Sequence, residues 1–454
     1  MDLITTDKQY CVVGLGKTGY SAARYLANKG HTVVVMDTRE SPPHLQEIRQ
    51  EFPEMEILLG GLDTAKLVAA DEIILSPGVP LATPQIAKAV RKGVPVIGDV
   101  DLFLRENEQR EQPSEIIAIT GSNGKSTVTL LVGQMLAFDE KAVAVGGNIG
   151  TPALELIEQV QADVTVLELS SFQLETMKEL RHHIATVLNV SEDHMDRYET
   201  FLDYYRAKHK IFHGAKAAVV NFDDPLTQPL INTNVQVKTY STKQKDLHRY
   251  SLGLHEDQTL WIWKGMDPWM STKELALRGK HNYSNALVAL SLAEAVNCSE
   301  PAMRQALKEF RGLPHRCEFV RTLDGVEYIN DSKGTNVGST QAALVGLGNE
   351  DQANIVLIAG GVGKDANFRL LAPEVEKYCK HLVLIGEDAD EMAEQLNFAQ
   401  TSRSDTLAAA IDQARNQCAA GDLVLLSPAC ASFDMFKSFE HRGDVFKQLV
   451  GDLR

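Results

Sequence analysis

Short apolar runs rich in Val, Ile and Leu alternate with longer stretches of helical spacing along almost the whole chain. "YCVVGLG", "HTVVVMD", "EIILSPG" and "VPVIGD" occupy the first part; "EIIAITG", "KAVAVGGNIG", "VTVLELSS", "IATVLNV" and "AKAAVVNFDD" the middle; "VEYINDSKGT", "NIVLIAGG", "HLVLIGED" and "DLVLLSPAC" the last. Unbroken β-rich runs ended by Gly, Pro or Asp predict strands covered on both faces. Their alternation with helical stretches predicts an α/β protein of mainly parallel sheets with crossover helices. Residues 237–273 differ: "TLWIWKG" alternates apolar with polar, which predicts an antiparallel insertion at the end of the middle part.

Two breaks divide the pattern. The polar stretch "RENEQREQPSE" (105–115) has no apolar period, contains Pro113 and precedes a new strand. Near "FRGLPHRCE" (310–318) a helix is expected to end at Gly312 and Pro314. Three α/β units follow, at 1–110, 111–312 and 313–454.

With 45 basic and 61 acidic side chains the formal charge is −16, the opposite of a nucleic-acid binder, and a pocket for anions must be locally basic. The six cysteines are scattered, with no C-x-x-C, so a disulfide framework is not expected. "MDLITTDKQY" has no apolar signal core, and no run approaches the ~18–20 apolar residues of a membrane span. A reducing cytoplasm is the expected compartment.

The segment "EIIAITGSNGKSTVTLL" runs from a strand through glycines and Lys125-Ser126-Thr127 into a helix. Backbone N–H groups of Gly121, Ser122, Asn123 and Gly124 can cradle phosphate oxygens at a helix N-terminus, Lys125 can reach the β- and γ-phosphates, and Ser126 can ligate Mg²⁺. The usual G-x-x-x-x-G-K-[ST] spacing would put glycine at 119; Ile119 makes this a variant. A second glycine loop, Gly14, Gly16 and Gly19 with Asp37 after the next run, fits the dinucleotide fingerprint. Alone it does not distinguish NAD from another diphosphate nucleotide. A dehydrogenase would leave the Lys-Ser loop without a role, and a nucleotide-gated binding protein is a third reading.

Glu168 lies inside an apolar run, where an unpaired carboxylate is rare. A carboxylate beside a phosphate loop suits Mg²⁺; capping of the next helix is the structural alternative. His194 and Asp196 follow another strand. Farther on, Arg316, Asp331, Lys333, Thr335, Asn336, Lys364, Ser432 and Phe439 fall on loops after strands and together make a polar, basic rim.

In combination, "TGSNGKST", "GGNIG", "LELSSFQL", "NVSEDHMDRY", "GKHNYSNALVAL", "GLPHRCE", "NDSKGTNVGST" and "LLSPACASFDMF" resemble the Mur ligase family, the ATP-dependent amino-acid ligases of peptidoglycan precursor synthesis. "GLGKTG", "MDTR" and "SPACASFDMFKSF" resemble the branch that adds D-glutamate to UDP-N-acetylmuramoyl-L-alanine. The resemblance implies an N-terminal Rossmann-like unit for the UDP substrate, a central P-loop ATPase-like unit and a C-terminal Rossmann-like unit that takes the amino acid and closes on ATP. By the same resemblance Gly14, Thr18, Asp37, Thr38, Arg39, Ser76 and Gly78 hold the uridine diphosphate, while Asn148 and His194 face the acceptor. ATP falls to Gly121–Thr127 with Asn282 and Asn285 near adenine, Arg316 at the γ-phosphate and Asp331 at the ribose. Mg²⁺ falls to Ser126 and Glu168, with His194 and a carbamylated Lys208 at a second ion. D-glutamate falls to Lys333, Thr335, Lys364, Ser432 and Phe439. Lys125, His194, Lys208 and Arg316 are the expected catalytic set, and a monomer is expected.

Overall fold

A computed structural model describes residues 8–159, 161–181, 183–230, 235–277, 279–349 and 351–454, so most of the stretch read for a signal core lies outside it. Among the described residues the strands form sheets of five, nine and six. The first holds β1 (Gln9–Val13), β2 (Thr32–Asp37), β3 (Glu56–Leu59), β4 (Glu72–Leu75) and β5 (Val96–Ile97), in order β3-β2-β1-β4-β5. Every ladder in it is parallel. The order reverses between β1 and β4, which opens a crevice at their carboxyl ends where ligands of doubly wound sheets sit.

The second sheet holds β6 (Glu115–Thr120), β7 (Val143–Gly147), β8 (Val164–Glu168), β9 (Ile184–Val187), β10 (Ala217–Asn221), β11 (Gln236–Ser241), β12 (Tyr250–Leu254), β13 (Leu260–Lys264) and β14 (Asp267–Ser271). β6 lies between β8 and β9, both parallel to it. The expected insertion is present: β12, β13 and β14 pair antiparallel. The third sheet holds β15 (Glu318–Leu323), β16 (Val326–Asn330), β17 (Ile355–Gly360), β18 (Cys379–Ile385), β19 (Thr401–Arg403) and β20 (Leu423–Leu426), in order β15-β16-β20-β17-β18-β19. Only the β15–β16 ladder is antiparallel among those described. β8 and β17 are buried along their full length, as their unbroken apolar runs require.

The polar stretch 105–115 holds the end of a helix and leads into β6. Helix Asp99–Glu108 runs into it and buries Val100, Leu102, Phe103 and Leu104. Its charges are satisfied locally: Arg105 pairs with Glu72 at 2.8 Å, Tyr25 donates to Glu106 at 2.8 Å, and Asn107 holds Ser114 through its backbone N–H (3.0 Å) and C=O (2.9 Å). The helix packs against Ala153–Gln159 and Ser171–Thr176, so one apolar core runs from Tyr10 and Val12 through Phe103 to Leu167 and Tyr204. At the second break, helix Glu300–Glu309 stops short of Gly312, and irregular chain leads to β15.

The first glycine loop is built for close packing. A Cβ on Gly19 would lie 1.8 Å from the Gly14 carbonyl oxygen, so helix Lys17–Asn28 can sit against the strand end only without a side chain there.

Candidate functional site

The carboxyl ends of the middle and last sheets face one another across a cavity of about 860 Å³. β6 delivers the loop Gly121–Gly124, and helix Lys125–Phe138 starts directly after it. Lys125 Nζ donates to the carbonyls of Gly121 and Ser122, each at 2.9 Å. Lys208, from helix Phe201–His209, reaches the same Gly121 carbonyl at 2.8 Å, with its ammonium 4.6 Å from the Tyr204 ring centre. Burial pushes the Lys208 amine well below the usual lysine range, and the neighbouring Lys125 pushes the same way against Asp193 and Glu168. Lys125 is lowered as well, first by burial. Lys210 turns away and donates to the Glu175 carbonyl.

β8 ends on Glu168, which is 2% exposed. Its Oε1 accepts from Asn148 Nδ2 at 2.8 Å, while Oε2 is buried without a partner. Capping of the next helix falls to Ser170, whose hydroxyl accepts from the Gln173 N–H, so the capping reading of Glu168 is excluded. After β9, Asp193 and His194 line the cavity, whereas Asp196 is exposed outside it. Burial lowers the His194 ring below its ordinary pKa, against the pull of Asp193.

From the last unit, Arg316, Lys333, Thr335, Lys364, Ser432 and Phe439 line the same cavity. Arg316 Nη2 donates to Ser126 Oγ at 2.9 Å. Lys333 lies 3.9 Å from the Phe439 ring centre, and burial, then Arg316 and Lys125, lower it to about 8. A second cavity of about 290 Å³ adjoins the first across Asn123, Gly124 and Arg316. Thr127, Asn282, Asn285 and Asp331 line it. Asp331 accepts from the Cys317 N–H (3.1 Å) and Ser427 Oγ (2.7 Å), and burial raises it to about 6. His194, His315, Cys317 and Lys364 carry positive φ and border these two cavities, a concentration of strained backbone typical of sites that must aim their side chains.

Gly14, Thr18, Asp37, Thr38, Arg39, Ser76 and Gly78 gather at the carboxyl ends of β1, β2 and β4, apart from the main cavity. Gly14 N–H donates to Met36 O at 2.7 Å and Ser76 Oγ to Gly14 O at 2.8 Å. Asp37 accepts from the Leu15 N–H (2.7 Å) and twice from the Arg39 guanidinium (2.8 and 2.7 Å). Burial alone would raise its pKa; these bonds overcome it and hold Asp37 at about 2.

Sequence reasoning passed over Asn189, Asp193, Tyr204 and Ser339. Asn189 brackets Asn123 through its N–H (2.8 Å) and C=O (3.0 Å). Asn336 Nδ2 donates to Asp193 at 3.0 Å, and Ser339 donates to Asn123, joining the last unit to the phosphate loop. Tyr204 shares a hydrogen bond with Ser122 Oγ at 2.9 Å. Its place one helical turn before Lys208 was the available signal.

Family models match nearly end to end: the Mur ligase MurD-like N-terminal domain at 8–98, the Mur ligase middle domain at 119–293 and the Mur ligase glutamate ligase domain at 315–430. The chain belongs to the Mur ligase family. A UDP-N-acetylmuramoylalanine–D-glutamate ligase of Pseudomonas aeruginosa is 49% identical over 454 residues, covering 100% of both chains. One of Hahella chejuensis is 48% identical over 451 residues, 99% of each. Among solved structures, UDP-N-acetylmuramate-alanine ligase MurC of Thermotoga maritima matches with TM-score 0.59 at 18% identity, over 98% of this chain and 99% of that one. MurF of Acinetobacter baumannii matches with TM-score 0.60 at 17% identity, over 98% and 92%. The structural matches carry the shared three-sheet fold.

In this Mur ligase Asp37 gives an acid-side signature. Its folded pKa is depressed, so its stabilising contribution is full above the unfolded carboxylate value of about 4 and is lost as pH falls toward 2. Melting curves of wild type and Asp37→Asn should therefore converge between about pH 4 and pH 2; a constant gap across that window contradicts the Arg39–Asp37 account.

Proposed function

We propose that the protein forms the amide between D-glutamate and the L-alanyl carboxylate of UDP-N-acetylmuramoyl-L-alanine, with ATP as phosphoryl donor. The observation that carries this is the meeting, in one cavity, of a phosphate loop, a buried carboxylate with a free oxygen and a basic rim from a separate unit. The full-length identity to curated D-glutamate ligases supports the choice of substrates.

Residues 1–110 would hold the UDP moiety through the glycine loop, Thr18, Asp37, Thr38, Arg39, Ser76 and Gly78. Residues 111–312 would hold ATP, with its triphosphate over Gly121–Thr127 and its nucleoside in the adjoining cavity by Asn282, Asn285 and Asp331. Residues 313–454 would bring Arg316 to the γ-phosphate and hold D-glutamate with Lys333, Thr335, Lys364, Ser432 and Phe439. Asn148 and His194 would face the acceptor.

An oxygen of the alanyl carboxylate attacks the γ-phosphorus, the bond to ADP breaks, and an acyl phosphate forms. The deprotonated amine of D-glutamate then attacks the acyl carbon and phosphate leaves. Bringing a carboxylate to a polyphosphate is opposed by like charge. Lys125 and Arg316 supply fixed compensation in a partly dry cleft, so the protein contributes position and field more than covalent chemistry.

The donor set fits Mg²⁺. Glu168 Oε2 is a hard oxygen with no other partner, and Ser126 Oγ lies in the first turn of helix Lys125–Phe138. Among the described residues no group of three or more His, Cys, Asp or Glu could hold a metal alone. Ser126, Glu168, His194 and Lys208 as carbamate would share that role with the phosphates. When bound, the ion neutralises charge on the transferred phosphoryl group. The burial and lowered pKa of Lys208 favour the neutral amine that carbamylation needs. Among the described residues no helix is long and apolar enough to cross a membrane, and ATP as substrate favours the cytoplasm; a monomer would suffice, since both cavities lie within one chain.

Phosphate release from ATP should require UDP-N-acetylmuramoyl-L-alanine and D-glutamate together. L-glutamate or diaminopimelate in its place should give at most a trace. Release that needs no acceptor, or that is driven by NAD, contradicts the reading. Lys208→Ala should lose at least ~10²-fold in rate, as for loss of one preorganised charged group, and acetate should restore part of it. Labelling with ¹³C-bicarbonate should give a carbamate signal in wild type and in Lys210→Ala but none in Lys208→Ala; a signal lost only with Lys210 would move the assignment.

A further inference from the structure

The turn Gly147–Gly150 lies between Glu168 and the helix that follows the first glycine loop. On one side the Asn148 N–H donates to the Glu168 carbonyl at 2.8 Å and its Nδ2 donates to Glu168 Oε1 at 2.8 Å. That leaves Oε2 as the carboxylate oxygen without a partner, on a residue that lines the main cavity. The approach is tight: Gly147 has φ +102°, and a Cβ there would lie 2.5 Å from the Glu168 carbonyl oxygen. On the other side Lys17 Nζ donates to the Gly150 carbonyl at 2.5 Å. Lys17 opens the helix directly after Gly14 and Gly16, so this bond spans from the first glycine loop to the middle sheet.

We propose that this turn couples the two nucleotide sites, with Asn148 positioning Glu168 for its cation and Lys17 relaying occupancy of the first glycine loop to the turn. The proposal rests on the reading of Glu168 as a cation ligand given above. A carboxylate free to rotate offers either oxygen and pays ordering entropy on binding; one oxygen held by a donor fixes the other. A diphosphate at the helix N-terminus after Gly16 sits beside the residue that holds Gly150, so its binding and the orientation of Glu168 share one short chain of contacts. Coupling is reciprocal, so acceptor and cation should each tighten the other.

The test reads Mn²⁺ affinity by electron paramagnetic resonance, with a non-hydrolysable ATP analogue, with and without UDP-N-acetylmuramoyl-L-alanine. Wild type should bind Mn²⁺ more tightly when the acceptor is present, by about fivefold or more. Asn148→Ala should weaken Mn²⁺ ~10–100-fold, with Asn148→Gln recovering part of the loss and circular dichroism unchanged. Lys17→Met should keep wild-type Mn²⁺ affinity without acceptor and lose the enhancement. Asn148→Ala within twofold of wild type, an absent enhancement in wild type, or a full enhancement in Lys17→Met overturns the proposal and leaves the ligase reading standing. Wild type that binds no Mn²⁺ with the analogue overturns the cation reading itself, and the proposal with it.

Discussion

Two lysine amines, Lys125 and Lys208, converge on one carbonyl oxygen, that of Gly121. Lys208 is buried and Lys125 half-buried; desolvation lowers the pKa of both, and Lys125 lowers that of Lys208 further. Two amines so close are costly to keep charged together, which favours a neutral Lys208 and leaves Lys125 as the charge that meets arriving anions. The rest of the architecture serves it. β6 lies between β8 and β9, and the three strand ends present the loop, Glu168 and the Asn189–His194 segment to one another. Glu168 and Asp193 supply the nearby negative charge that makes the cluster tolerable.

The other two sheets complete the site from outside. The last unit contributes the basic rim and reaches the phosphate loop through Arg316 to Ser126, Ser339 to Asn123 and Asn336 to Asp193. These three contacts are side-chain hydrogen bonds between polar groups, unlike an apolar core. The first unit is joined differently. Phe103 and its neighbours on helix Asp99–Glu108 belong to a core continuous with the middle sheet. A shared apolar core fixes orientation, so the first glycine loop and the phosphate loop hold a set geometry.

Much of this was legible in the chain because parallel strands buried on both faces announce themselves as unbroken apolar runs. β2, β4, β6, β8, β9, β10, β17 and β20 lie within such runs, and β1 and β18 overlap them. β3, with a half-buried "EILL", and β19, three residues at a sheet edge, carried too little pattern to find. The stretch 105–115 carries no apolar period because it holds the polar end of helix Asp99–Glu108, whose side chains bond to Glu72, Tyr25 and Ser114; composition alone does not show those bonds. In the site, Lys125 and Ser126 were legible from the strand–loop–helix context; the other residues of the middle and last units named from the resemblance line the two cavities. Asp193 was missed in favour of the equally placed Asp196, since one turn of irregular chain decides which carboxylate turns inward. Asn336 and Ser339 act across two units, and no local spacing encodes a contact between residues so distant in sequence.

The central claim is that this cavity passes the γ-phosphoryl group of ATP to a carboxylate. It is tested most directly by following oxygen. UDP-N-acetylmuramoyl-L-alanine labelled with ¹⁸O in its alanyl carboxylate should, on turnover with ATP and D-glutamate, deliver one labelled oxygen to each inorganic phosphate released. Unlabelled phosphate accompanying amide product would contradict the account, because the carboxylate oxygen could not then have been bonded to phosphorus.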